Sequence, residues 1–597
     1  MARPIEDYAL IGDCETVALV ARDGSIDWLC LPRFDSNACL AALLGTPDNG
    51  RWRLCPTSEV VRCRRRYLED TLVLETEFQT KTGIVAIIDF MPPRAETTEL
   101  IRIVEGRAGT VEMHFELVIR FDYGSVTPWV HRVADGISAI AGPDALLLTT
   151  PITLHGENMK TVADFTISEG QQIPFKLAYY RSHLSPPRAS DPFQSYKQTC
   201  EWWKEWSSRC TYRGSYRNCV IRSLITLKSM TYAPSGGIVA AATTSLPEQL
   251  GGVRNWDYRY CWLRDATLTL LSFMNSGYSE EARDWREWLL RAVAGDPAEL
   301  QIMYGICGER RLDEYEVSWL KGYENSAPVR VGNAASKQFQ LDVYGEVADA
   351  LHQACRTGSS FSDADWRLAR ALVRFVEEVW DTPDEGIWEV RGPRQHFTHS
   401  KVMAWVAIDR AIKSAERFHL DAPLERWRQL RAEIHARVCE QGFNSKLNSF
   451  VQSYKSDVLD ASSLMIPIVG FLPPEDPRVQ GTVAAIERRL CADGFVRRYH
   501  THETADGLPP GEGAFLACSF WLADNYSFQG QSQKAAELFD RLTGLANDVG
   551  LLSEQFDPVT RRLVGNFPQA FTHLSLVNTA LNLHAPESGP GTQRRRP

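Results

Sequence analysis

No two of the 14 cysteines stand in a C-x-x-C pair, which removes the zinc ribbon and the dithiol redox motif. His-Glu-x-x-His is missing, and the 13 histidines do not cluster. Their nearest approach, His500 and His502 in YHTHET, reads as a polar loop. There is no Gly-rich phosphate loop ending in Lys-Ser/Thr, and no G-x-S-x-G to mark a serine nucleophile. Neither a metal nor a cofactor is expected. Positive charge is short as well: 65 Lys and Arg against 75 Asp and Glu leave −10, the wrong sign for nucleic acid. No run of 18 apolar residues occurs, and Glu6, Asp7, Asp13 and Glu15 interrupt any leader-like core at the start. The expectation is a cytoplasmic protein with scattered free thiols and no nucleic-acid or membrane partner, acting on a neutral or cationic small molecule. Homo-oligomerisation stays open.

What is present divides the chain in two. Residues 1–190 read as β, with TLVLETEFQT, IVAIIDFM, TVEMHFELVIRFDY, ALLLTTPITLH and PFKLAYYRSH separated by Gly, Pro, Asp and Asn. Short strands without intervening helices predict an antiparallel β-sandwich. The Pro/Ser cluster SPPRASDPF marks its end, and a Trp-rich helical connector occupies 191–215. From Tyr216 the period turns helical. Helix starts fall near Tyr216, Arg264, Ser279, Lys337, Ser362, Ser400, Leu424, Ala461, Val479, Glu512, Ser532 and Phe571. Twelve helices can close as six hairpins, an (α/α)6 barrel over 216–585 whose loops surround a pocket. Residues 586–597 read as a disordered tail.

Carboxylates remain as the chemistry-bearing groups. Asp342 and Glu346 are four apart in FQLDVYGEVADALHQAC and share a helix face, where like charges raise a pKa if water is excluded. A carboxyl kept protonated in this way can serve as a general acid. Glu554, in GLLSEQFDPVT, ends an apolar run just before the Asp557-Pro558 turn. Glu512 begins a helix, where its role would otherwise be only to stabilise the N-terminus. The segment NWDYRYCWLRDA interleaves Trp256, Tyr258, Tyr260 and Trp262 with Asp257, Arg259, Arg264 and Asp265. Sugars present apolar C–H faces and a rim of hydroxyls, and such a surface offers both halves of that recognition.

These residues resemble glycoside hydrolase family 15, the glucoamylase and trehalase family, in its bacterial intracellular branch. The resemblance runs from about Ile5 to Leu583. It is carried in order by IEDYALIGDCETVALVARDGSIDWLCLPRFDS, GGVRNWDYRYCWLRDATLTL, PVRVGNAASKQFQLDVYGEV, THSKVMAWVAIDRA, EGAFLACSFWLADNY and GLLSEQFDP. One departure is Asn325-Ser326, where the family pattern suggests Gly-Ser. The resemblance implies a β-sandwich before an (α/α)6 barrel, and inverting hydrolysis of α-glucosides from the non-reducing end. Inversion needs an acid and a base, standing roughly 6.5–9.5 Å apart to admit a water. Motif matching implies Glu346 as the acid and Glu554 as the base, with Trp262, Arg264 and Asp265 gripping the cleaved glucose. Trp256, Asp257, Lys401, Trp405 and Glu512 are further pocket candidates. Cleavage of α,α-trehalose is the leading expectation. A glucoamylase-like exo-α-glucosidase and a catalytically inactive sugar-binding protein are the rivals.

Overall fold

The structure is a computed structural model and describes residues 2–188, 190–356 and 362–595. Its first part is a 15-stranded antiparallel assembly folded into two layers. One strand, Glu99–Val118, serves both layers. Its first half pairs with Gly83–Phe90 and Gln172–Arg181, and its second half with Arg51–Pro56 and Lys160–Ser168. The change of layer falls at Gly106 and Gly109. A Cβ on Gly106 would lie 2.1 Å from the Ser168 carbonyl oxygen, and Gly109 has φ +63. Only glycine fits such a corner.

Strands Tyr8–Gly12, Val17–Ala21 and Ser25–Cys30 are buried on both faces, because the helical domain covers the side away from the sandwich core. Trp28 Nε1 donates to the Ala242 carbonyl at 3.0 Å across that contact, and Asn547 Nδ2 donates to the Tyr8 carbonyl at 2.7 Å. The connector helix Pro192–Ser208 is capped by Asp191, whose side chain accepts from Phe193 N at 2.9 Å. Phe193, Tyr196 and Cys200 pack on the β-domain, while Trp206 stacks on Tyr278 of the helical domain at 4.2 Å.

Six helical segments form the inner ring: Leu263–Asn275, Asp342–Arg356, Thr398–Phe418, Ala461–Ile468, Leu516–Phe528 and Ala570–His584. Each touches the next, and the last returns to the first. Six outer helices, Arg217–Ser229, Ser279–Ala292, Asp363–Val379, Leu424–Gln441, Pro477–Arg489 and Ser532–Thr543, pack around them. The burial of each helix explains its layer. LACSFWLADNYSF is apolar on most sides and is buried along nearly its whole length, whereas SQKAAELFDRLT buries only Ala535, Leu538, Phe539 and Leu542. Two helices begin later than their patterns suggest. Ala334–Lys337 is a 3-10 turn, and the helix starts only at Asp342, because Leu341 N is taken by Asp384 Oδ2 at 3.0 Å. Residue 512 lies in a loop, and the helix begins at Leu516 after the short strand Ala514–Phe515.

The C-terminal segment departs from the disordered tail that its composition suggests. Pro590–Arg595 is helical and closes the barrel end opposite the loops described below. Arg594 is 1% exposed. Its Nε donates to Asp349 Oδ2 at 2.6 Å, and its NH2 lies 3.6 Å from Glu346 Oε2. The barrel interior supplies buried carboxylates that need a cation, and the tail brings one. Among the described residues no helix is long and apolar enough to cross a membrane.

Candidate active site

The N-terminal ends of inner helices and the loops before them surround a pocket. Arg264, Phe515 and Gln569 come from helix starts and Trp256 from the short strand Asn255–Asp257; Glu248, Arg254, Tyr258, Ile387–Arg391, Arg498–Leu508 and Glu554 come from loops. Among the described residues no group of three or more His, Cys, Asp or Glu is placed to hold a metal ion.

The segment 255–266 builds one wall by alternation. In its extended stretches successive side chains point to opposite sides. Trp256 and Tyr258 face the pocket, and Trp262 reaches its wall. Asp257 and Arg259 point the other way, toward the β-domain. Arg259 NH2 donates to Asp257 Oδ2 at 2.7 Å and to the Tyr123 hydroxyl at 2.8 Å, and its NH1 donates to the Ser36 carbonyl at 2.9 Å. Asp257 is therefore half of a buried pair that joins the domains, outside the pocket.

Four carboxylates line the pocket: Glu248, Glu389, Asp506 and Glu554. Glu248 is held by Arg498 at 2.9 Å and Trp256 Nε1 at 3.2 Å, and Asp506 by Arg254 at 2.7 Å and the Tyr499 hydroxyl at 2.9 Å. Glu389 and Glu554 are bound differently. Oε1 of Glu389 accepts from Trp262 Nε1 at 2.7 Å and Arg264 NH1 at 3.2 Å. Oε1 of Glu554 accepts from the Tyr258 hydroxyl at 2.8 Å. In both, Oε2 makes no hydrogen bond among the described residues and remains for a ligand. Tyr258 and Trp262 meet edge to face at 5.3 Å, so two neighbouring rings carry the donors to the two acids.

Each acid is set by its backbone. Glu389 has φ +58, a left-handed conformation uncommon outside glycine. Its turn is clamped by Arg264 NH1 on the Ile387 carbonyl at 3.0 Å and by Gln338 Nε2 on the Glu389 carbonyl at 3.2 Å. A strained residue held this firmly in a pocket wall is a functional candidate. Glu554 sits against Gly565, where a Cβ would come within 2.5 Å of Oε2, so only glycine leaves the carboxylate its place. Burial, then the negative charge of Glu248, push the Glu554 carboxyl up to about 8, against the pull of Arg498 and the Tyr258 hydrogen bond. The Asp265 carboxyl is also raised by burial, although Arg264 Nε donates to it at 2.9 Å.

The remaining sequence candidates fall in three places. Arg264, Trp256 and Glu554 line the pocket. Trp262, Asp265 and Glu512 stand one contact behind it, on Glu389, Arg264 and Arg498. Glu346, Lys401 and Trp405 lie elsewhere. Glu346 is four residues into its helix, about 6 Å deeper than Asp342 at 1.5 Å per residue, and it faces Arg594. Burial pushes it up to about 7 despite that cation. Lys401 donates to the Thr382 carbonyl, and Trp405 packs edge to face on Phe471 at 5.2 Å. Sequence reasoning passed over Glu389 because it lies in a loop outside the motifs that carry the family resemblance. The available signal was GIWEVRG, a Trp-Glu pair between glycines in an interhelical loop. Arg498, Glu248 and Asp506 carried no local signal.

A β-sandwich packed on a six-hairpin barrel, with two half-free carboxylates beside an arginine and aromatic rings at its loop end, defines the class of glycoside hydrolases with such barrels. Comparison with known proteins agrees. The sequence model described as glycosyl hydrolases family 15 matches residues 214–581, and that described as trehalase-like, N-terminal, matches residues 1–194. The chain belongs to glycosyl hydrolases family 15. It is 38% identical to a trehalase of Mycobacterium tuberculosis over 97% of this chain and 89% of that protein. It is 33% identical to a trehalase of Thermoplasma volcanium over 97% of this chain and 93% of that one. The crystal structure of a bacterial glucoamylase complexed with acarbose has the same fold, with a TM-score of 0.75 at 12% identity, covering 100% of this chain and 96% of that one.

Proposed function

We propose that the protein is a cytoplasmic trehalase, which hydrolyses α,α-trehalose to two glucose molecules with inversion. Glu389 is the general acid and Glu554 the general base. The observation that carries this reading is the pair of pocket carboxylates, each with one oxygen held by a protein donor and the other free. The resemblance of GLLSEQFDP assigns Glu554 to water activation. Glu389, bound to the same Arg264 that grips glucose, then reaches the glycosidic oxygen. The place of Glu346 beside Arg594, away from the pocket lining, supports giving the acid role to Glu389. Relatives named trehalase along nearly the whole chain support the substrate.

The substrate test is glucose release from trehalose, maltose, isomaltose and maltotetraose. Trehalose should be hydrolysed fastest; release from maltose with none from trehalose would leave a glucoamylase-like enzyme instead. The pH profile gives a second test. A general base works only when ionised, so kcat/KM rises with pH through the value of Glu554 and falls away below it. The acid limb should lie well above the usual carboxylate range of about 4.3. Glu248→Gln removes the neighbouring negative charge and should move that limb to lower pH, while Tyr258→Phe removes a stabilising hydrogen bond and should move it higher. If neither variant displaces the limb, another group sets it.

A further inference from the structure

The chain between strands Phe495–Val496 and Ala514–Phe515, residues 497–513, has no helix or strand. A structureless segment of this length in a folded domain is uncommon and usually has a function. Here it lies across the pocket and contributes Arg498, Tyr499, Asp506 and Leu508 to its wall.

The loop is fastened on two sides. Toward the acid-bearing turn, Arg391 N donates to the Asp506 carbonyl at 2.7 Å. The two backbones touch there without intervening side chains: a Cβ on Gly392 would lie 2.1 Å from the Ala505 carbonyl oxygen, and one on Gly507 (φ +79) 2.6 Å from the Arg391 carbonyl carbon. Toward the hairpin before Tyr258, Arg254 NH2 donates to Asp506 Oδ2 at 2.7 Å and its Nε to the Pro509 carbonyl at 3.1 Å. The Asp506 carboxylate also accepts from the Tyr499 hydroxyl at 2.9 Å and from Leu508 N at 3.0 Å. Asp506 is 2% exposed, and the hydrogen bonds leave its carboxylate with protein donors rather than with a ligand.

The wall continues through Trp256. The guanidinium carbons of Arg391 and Arg330 lie over its ring at 4.4 and 4.7 Å, and Glu314 pairs with Arg391 at 3.0 Å. The ring is engaged by cations and is not a free platform for a further sugar. The geometry points to a strap. Residues 497–513, pinned through Asp506 and the Gly392–Gly507 backbone contact, close the leaving-group side of the pocket one sugar beyond the scissile bond and confine the enzyme to leaving groups of a single sugar. This rests on the reading of the pocket as an α-glucoside hydrolase site with Glu389 as acid. It adds that Asp506, Gly392 and Gly507 determine chain-length specificity without touching the reacting atoms.

The experiment compares substrates in pairs that share a scissile linkage: trehalose with its 4-O-α-glucosyl extension, cleaved to glucose and maltose, and maltose with maltotetraose. Within a pair the linkage preference cancels. An enzyme that ignores trehalose would refute the trehalase reading while leaving the length ratio of the maltose pair to decide the strap. The wild type should favour the shorter member in kcat/KM by about tenfold or more. Gly507→Ala and Gly392→Ala, which force the strap off the acid-bearing turn, should narrow the ratio at least about fivefold and expose residues 500–510 to limited proteolysis. The milder Asp506→Asn should act in the same direction with less loss of folded protein. A wild type that turns over both members of a pair alike overturns the inference. So do variants whose strap becomes cleavable while the ratio stays put.

Discussion

Glu389→Gln should lower kcat on trehalose by about 10²–10⁴-fold, the range for loss of a positioned proton donor, or about 3–5 kcal/mol of barrier. Glu554→Gln should fall as far, and Glu346→Gln should keep turnover near that of the wild type. The two roles separate with α-glucosyl fluoride, whose leaving group needs no proton. Glu389→Gln should recover much of its rate on the fluoride, whereas Glu554→Gln should stay slow, because water still needs its base. The opposite pattern would exchange the two assignments, and a crippled Glu346→Gln would return that residue to the reaction. The prediction rests on contacts. Glu389 is tied to Arg264 and Trp262 in the pocket, and Glu346 faces a cation from the chain's far end.

Removing that cation should have the largest effect on stability. Asp349 is fully buried and is held by Arg410 Nε at 2.7 Å and Arg594 Nε at 2.6 Å, which keep its carboxyl well below the usual carboxylate range despite burial. Arg594→Ala leaves Asp349 half paired and Glu346 without its cation. Breaking a buried pair from one side costs about 3–5 kcal/mol. Thermal unfolding of Arg594→Ala, or of the chain ended at residue 588, should therefore begin several degrees below the wild type. Equal melting of the shortened chain would show that the terminal helix is an ornament on the barrel. A loss of folded protein with normal kcat per folded molecule would place its role in the scaffold.

Much of the architecture was legible because it depends on local period. Alternating β-branched and aromatic residues before residue 190, and 3.6-residue spacing after 216, specify a sandwich and twelve helices, and inner and outer helices differ in how much of their surface is apolar. The NWDYRYCWLRDA segment was legible as a pocket wall, but its halves were not. Trp256, Tyr258 and Arg264 face the pocket while Asp257 and Arg259 hold the β-domain, a division set by strand pairing with Thr244–Pro247. The candidate acid depended on the same kind of information. An acidic pair at i, i+4 announces a shared helix face, but not whether that face meets substrate or a buried arginine 248 residues downstream.

By itself the sequence determined the family, the order of a β domain before a helical one, the motif that carries Glu554 and the Trp-x-Arg-Asp wall, since each is carried by residues adjacent along the chain. Tertiary structure alone decided which carboxylates share a pocket with Glu554, that Arg498 and Glu248 set its electrostatic surroundings, that Asp506 fastens a strap over the pocket, and that Arg594 fills the barrel base. Those pairings join residues up to hundreds of positions apart. Their energies come from burial and charge compensation in the folded barrel, and neither quantity exists until the ring of helices has closed.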